Sequence, residues 1–278
     1  MNGIDISRYQ GKPDFSQVRN AVDFVIVQAG YGKYSYQIDK EFERNYSECK
    51  KHKIPVGTYW FSYAKSAAEA TQEARTFIET IKGKQFEFPL YYDIEGAALS
   101  GDVAGKCEAF CSTLERAGYY AGIYISRSPA EQYLKNTTVS KKYTMWIAEY
   151  SSINYSGAYD IWQKSDSGRI AGIETNVDID VCYVDFPKII KEKGLNGFPK
   201  PAVSVLDSEG WKYKDDNQGV YLLKQILKTA YKRNLNDDSI FGKGTENAVN
   251  SILSANGFKE NGIAGMGFCD LITKGLKK

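Results

Sequence analysis

Phe88-Pro89-Leu90-Tyr91-Tyr92-Asp93-Ile94-Glu95-Gly96 (FPLYYDIEG) is the stretch on which the reading of this chain turns. Residues 88–94 form an apolar, aromatic-rich run of strand length, and it ends in two carboxylates. Residues two apart on a strand share a face, so Asp93 and Glu95 are expected to point the same way. A solvated strand end would carry the same letters. The DxE acquires meaning only from what surrounds it.

Similar runs lie on both sides. Upstream, residues 3–7, 23–28 and 55–61 are candidate strands, with helical patterns at 39–51 and 66–81. Ser66 is placed to cap the second helix, ahead of Glu69. Downstream come a helix at 101–117, a strand at 120–126 and a short helix opened by Ser128-Pro129. Strands at 143–148, 159–163 and 176–183 follow, then a closing helix at 186–193. Eight strands with mostly helical crossovers in roughly 190 residues predict an α/β fold, an irregular TIM-like (β/α)-barrel with reduced helices in its second half. An open doubly wound sheet is the alternative. In a closed barrel the first and last strands are neighbours, which gathers Asp5, Asp93, Glu95 and Asp178 at one mouth, with Asp180 on the same face as Asp178.

Composition narrows the chemistry. The 278 residues carry a net charge of +2, so nothing points to nucleic acid or an anionic membrane, and no run is long enough for membrane insertion. His52 is the single histidine. Zinc sites with two or three His ligands are thereby excluded, and His52, among Lys50, Lys51 and Lys53 at what reads as the solvated end of a helix, is poorly placed as the base of Ser-His-Asp or Cys-His hydrolysis. Five cysteines without a CxxC pair suit a reducing compartment, and the MNGIDISRYQ start lacks a signal-peptide pattern. Carboxylates are left as the acid–base groups.

Paired acids of this kind suit glycoside hydrolysis, in which one carboxyl donates a proton and another stays ionised. A magnesium or calcium site is the competing use of four acids; the expectation is no metal and no cofactor. The 21 tyrosines agree with a saccharide cleft, since sugar C–H faces pack on aromatic rings. Candidates at strand ends are Tyr9, Tyr31, Tyr59, Tyr63, Tyr124, Trp146 and Trp162.

Residues 194–206 carry Gly and Pro and read as a linker, and residues 207–278 as a small helical domain with helices at 216–233, 245–255 and 268–276. It contains a weak repeat: Ile240-Phe241-Gly242 and Ile263-Ala264-Gly265 each follow turn residues and precede a helix.

The blocks GIDISRYQG (3–11), FVIVQAGYG (24–32), GTYWFSYA (57–64), YYDIEG (91–96), WIAEYSS (146–152) and IWQKSDSGRIAGIETNVDIDVCY (161–183) resemble, in order, the lysozymes of glycoside hydrolase family 25. The resemblance implies an irregular (β/α)-barrel that cleaves the β-1,4 bond between N-acetylmuramic acid and N-acetylglucosamine. It makes Glu95 the general acid and Asp93 either the nucleophile or the group that orients the substrate's 2-acetamido arm. Asp5 and Asp178 become supporting carboxylates. Tyr59 and Trp146 match cleft-lining positions, and Tyr31, Tyr124, Gln163 and Asp180 complete the expected substrate-binding set. Gln28 departs from the family pattern, where a basic residue is common. DSIFGKGTENAV (238–249) resembles the turn-and-helix of a three-helix peptidoglycan-binding domain, which NGIAGMGFCDLI (261–272) matches less fully. The expected partition is a muramidase barrel at 1–193, a linker at 194–206 and a wall-binding domain at 207–278, with bacterial peptidoglycan as partner. No oligomeric state follows. The expected setting is a phage endolysin, made in the host cytoplasm and acting on the wall after release. A non-catalytic wall binder and a chitin-type glycosidase are the alternatives, the latter without the further Asp residues usual upstream of its D-x-E.

Overall fold

In the computed structural model, which describes residues 1–150, 152–200 and 204–275, the apolar runs on either side of Asp93 close into an eight-stranded barrel. The strands are β1 (Asn2–Ile6), β2 (Phe24–Tyr31), β3 (Val56–Phe61), β4 (Leu90–Asp93), β5 (Ala121–Ser126), β6 (Thr144–Ala148), β7 (Ile161–Gly168) and β8 (Val177–Cys182), hydrogen-bonded in chain order. Neighbours from β1 to β7 are parallel, whereas β8 is antiparallel to both β7 and β1. That reversal is invisible in sequence, because period-two alternation reads the same in either direction.

The outer layer thins as expected. A short α1 (Phe15–Val18) follows β1, and full helices α2 (Phe42–Lys51), α3 (Ala67–Thr80) and α4 (Val103–Arg116) form the next three crossovers. Only α5 (Arg127–Tyr133) and the single turn α6 (Val139–Lys142) follow β5, before α7 (Phe186–Lys193) closes the unit. Neither α1 nor α6 is legible in the sequence, each a single turn too short to show a 3.6-residue period. Ser66 accepts from the Glu69 amide at 3.3 Å and Asp102 from the Gly105 amide at 2.8 Å, so side chains satisfy amides that the first turns of α3 and α4 leave free.

Two apolar layers hold this unit. One lies between strands and helices and includes Ile4, Val25, Val27, Trp60, Phe77, Tyr92, Phe110 and Ile123. The other fills the barrel with Phe24, Ile26, Phe88, Tyr91, Tyr124, Trp146 and Ile161. Aromatic rings fit inside because small residues face them. A Cβ on Gly3 would stand 2.4 Å from the Phe24 ring, and one on Gly122 2.5 Å from Tyr91.

Three boundaries differ from the sequence expectation. β4 starts at Leu90, after Pro89, which has no amide to donate to a ladder, and it ends at Asp93, leaving Glu95 beyond the strand. β7 continues to Gly168. Residues 194–198, expected as linker, are bound to the barrel unit. Buried Asn196 donates to the carbonyls of Phe86 and Phe88 and accepts from the Tyr120 amide at 2.7 Å. Of the rest of that segment, residues 201–203 lie outside the described residues.

The chain folds as two compact units, at 1–201 and 202–278. The second holds α8 (Gln218–Thr229), α9 (Lys243–Ala255) and α10 (Met266–Gly275) around Val220, Leu227, Phe241, Val249, Leu253 and Phe268. The expected helix end at Leu276 lies outside the described residues. Its repeat is geometric as well as verbal. Asp238 accepts from the Ile240 amide at 2.9 Å, and Asn261 accepts from the Ile263 amide at 3.1 Å, so the same side-chain turn precedes α9 and α10.

Candidate active site

Each acid reaches the barrel mouth by its own local route. Asp5 is the penultimate residue of β1, and Asp93 ends β4. Glu95 stands two residues further on, before a 3-10 turn at residues 96–98, and its extended backbone (φ −139°, ψ 175°) prolongs the alternation past the last ladder pairing. Asp178 arrives from the other direction. Because β8 is reversed, its second residue lies at the mouth, directly paired with Asp5.

The four acids line a cleft of about 200 Å³ together with Tyr59, Tyr124, Trp146 and Gln163. Tyr9, Gln28, Ser7 and Phe61 complete it. The last two are not singled out by the sequence reading, though extending the period-two faces from Asp5 and Tyr59 finds both. Gln28 is the one polar residue inside FVIVQAG, and such an interruption marks an inward-facing functional position.

Four expected residues lie outside the lining: Tyr31, Tyr63, Asp180, and Trp162, whose indole N–H donates to the Glu149 carbonyl at 2.6 Å. Tyr31 packs edge-on to Tyr63 at 5.9 Å on the rim, where Arg8 stands over both Tyr31 and Tyr9. Asp180, expected in contact with substrate, is fully buried one layer below the mouth. Its Oδ1 accepts the Trp146 indole N–H at 2.9 Å. This fixes the indole, which meets Tyr59, Tyr91 and Tyr124 edge-on with centroids 6.2, 5.1 and 4.5 Å away. A second chain fixes the floor. Tyr124 donates to Gln163 Oε1 at 2.8 Å, and Gln163 Nε2 donates to Asp5 Oδ2 at 2.8 Å.

Burial and mutual repulsion set the protonation. The Asp5 carboxyl is pushed well above its usual range by burial, then by the charges of Asp180 and Asp178. Burial and neighbouring Asp178 push Asp180 up to about 8, against the Trp146 hydrogen bond that opposes the shift. No donor reaches Asp180 Oδ2. The titrations of Asp5 and Asp180 are linked, the charge of Asp180 favouring the protonated form of Asp5. Asp93 is raised by burial and by Glu95, and Glu95 by burial and by Asp178. The pair therefore retains a proton at pH values where free carboxyls have lost theirs. Asp93 lines the cleft, and its Oδ1 is buried with no hydrogen-bond partner. Among the described residues, no three or more His, Cys, Asp or Glu are grouped so as to hold a metal ion.

What the arrangement offers is proton donation from one carboxyl beside a second, deeper carboxyl, between aromatic walls. Such a set acts on a bond whose leaving oxygen needs a proton and whose carbon develops positive charge.

The family model of the glycosyl hydrolases of family 25 matches residues 4–173. An autolytic lysozyme of Clostridium acetobutylicum is 29% identical over 264 residues, covering 92% of this chain and 74% of the relative. Among solved structures, the modular autolysin LytC from Streptococcus pneumoniae, in complex with a synthetic peptidoglycan ligand, superposes with a TM-score of 0.60 at 30% identity. That match covers 66% of this chain and only 46% of the autolysin. The CTP1L endolysin gives 0.61 at 27% identity, over 69% of this chain and 70% of the other.

Proposed function

The chain belongs to family 25 of the glycosyl hydrolases, and from that premise we propose that it is an N-acetylmuramidase, hydrolysing the β-1,4 bond between N-acetylmuramic acid and N-acetylglucosamine in peptidoglycan. The observation that carries this reading is the carboxyl pair at the mouth, Glu95 half-exposed and Asp93 buried beside it, between the aromatic walls. Glu95 is the general acid for the glycosidic oxygen. Asp93 either attacks the anomeric carbon or accepts the N–H of the substrate's 2-acetamido group while that group's oxygen attacks. An N–H donated to Asp93 favours its ionised form and so leaves the shared proton on Glu95, where the leaving group needs it. Asp5 and Asp178, behind the pair, support the positive charge that develops on the sugar.

The test is the new reducing end. Purified peptidoglycan digested to completion, reduced with borohydride and analysed by mass should carry reduced muramic acid at every new terminus. Reduced glucosamine there would refute the bond assignment.

We further propose that the protein serves as a phage endolysin, made in the host cytoplasm and reaching the wall only after the membrane is breached, with residues 202–278 as the wall-binding part. The similarity to the CTP1L endolysin supports the first point. The paired Asx turns before α9 and α10 support the second. Bacteria expressing the chain internally should stay intact until their membrane is permeabilised, then lose turbidity. Lysis that begins without permeabilisation would sink the proposal.

A further inference from the structure

Lys106 occupies the inner stripe of α4 with Val103, Cys107, Phe110, Cys111 and Leu114, and is only 1% exposed. A buried ammonium costs more than a methionine or leucine in the same stripe unless every N–H is satisfied. Here the count matches: three N–H donors meet three main-chain carbonyls, those of Ser100 at 2.7 Å, Ala64 at 3.4 Å, and Ala98. Burial pulls the ammonium's pKa below that of an ordinary lysine, while the nearby charges of Asp102 and Glu73 favour its charged form.

Those carbonyls belong to the two segments that hold the catalytic pair. On one side the Ala98 amide donates to the Glu95 carbonyl at 3.0 Å, so a single residue links Lys106 to the backbone of Glu95. On the other, the Ala64 amide donates to Ser62 Oγ at 3.0 Å, and the Ser62 amide donates to the Asp93 carbonyl at 2.9 Å. Buried Glu73 of α3 anchors that second segment, accepting from Ser62 Oγ at 2.7 Å and from the Tyr63 amide at 2.8 Å. The segment after Glu95 has a left-handed glycine at each end, Gly96 (φ 49°) and Gly101 (φ 63°). Such residues are swivels, and Lys106 grips the chain between them.

We propose that Lys106 is a positioning residue for the hydrolysis: its buried ammonium clamps the segments after β3 and β4 so that the Glu95 carboxyl is held where it can protonate the departing oxygen. This rests on Glu95 being the general acid. It predicts a defect in proton delivery, leaving the aromatic walls of the cleft intact.

The experiment compares two substrates. Peptidoglycan oligomers need a proton on the leaving oxygen. An aryl glycoside of the same sugar with a dinitrophenolate leaving group does not. In Lys106→Met, kcat on the oligomers should fall by about 10–100-fold with KM little changed, while kcat/KM on the aryl glycoside, which reports only the first step, loses no more than about threefold. In Lys106→Ala, added propylammonium should restore oligomer cleavage, whereas tetramethylammonium, which has no N–H, should not. Equal losses on both substrates, or full activity on the oligomers, would overturn the clamp. Should Lys106→Met not fold, Lys106→Arg decides by the same ratio, since it keeps charge and donors but displaces them. Glu95→Gln separates the proposal from its premise. If Glu95→Gln lacks the leaving-group signature, the general-acid assignment fails. If it has the signature and Lys106→Met does not, only the clamp fails.

Discussion

Glu95→Gln should slow the clearing of purified cell walls by about 10²–10⁴-fold, the usual worth of a general acid, without unfolding the protein. The amide has the carboxyl's shape but no acidic proton, and the half-exposed position at the mouth lets it stay solvated. Removing the carboxyl also relieves Asp93 of the neighbour whose charge raises it, so the variant should be no less stable than the parent. Because hydrolysis and retention are assigned to different units, the inactive variant should still sediment with walls. Deleting residues 202–278 should abolish that retention, since a tethered binder raises the local concentration of wall at the cleft. Clearing at the parental rate would remove Glu95 from its role. Equal sedimentation with and without the tail would remove the tail from its own.

Asp180→Asn should stabilise the protein at neutral pH while changing little in acid. A carboxyl near 3.8 in the unfolded chain and about 8 in the folded one binds more protons when folded throughout that interval. Stability from this group is therefore full below pH 3.8 and is lost as pH rises towards 8. Asparagine keeps the acceptor for the Trp146 N–H and has nothing to ionise. Near pH 7 the gain should be on the order of 2–4 kcal/mol, or roughly 5–10 °C in Tm. At pH 4 the two proteins should melt together. An equal Tm difference at both pH values would show that Asp180 does not titrate in this range.

Much of this site is legible before any coordinates, and the illegible parts have physical reasons. Period-two alternation places Asp5, Asp93 and Glu95 on inward faces at strand ends, and barrel closure adds Asp178. Alternation cannot report depth along a strand. Asp178 and Asp180 are therefore equivalent in sequence, though one lines the cleft and the other lies buried beneath it. Nor can it tell where a ladder stops, which is why Glu95 reads as a strand residue and proves to follow the strand. Lys106 leaves a trace: a lone charge within the stripe Val103, Cys107, Phe110, Cys111 and Leu114 announces a buried ammonium with partners to find. What those partners are depends on two loops brought together by non-local pairing, and no local pattern encodes that.

The reversed last strand bears on how the molecule comes into being. β7 and β8 are consecutive in chain and antiparallel, so they can form a local hairpin before the rest of the barrel is complete. β1 has no such near partner on its open side. Asp5 must wait for Asp178, and the final seam joins the two ends of the barrel across almost its whole length. A chain still emerging from the ribosome therefore carries Asp5, Asp93 and Glu95 without Asp178, on a sheet with two raw edges. The four acids come together only with the seam.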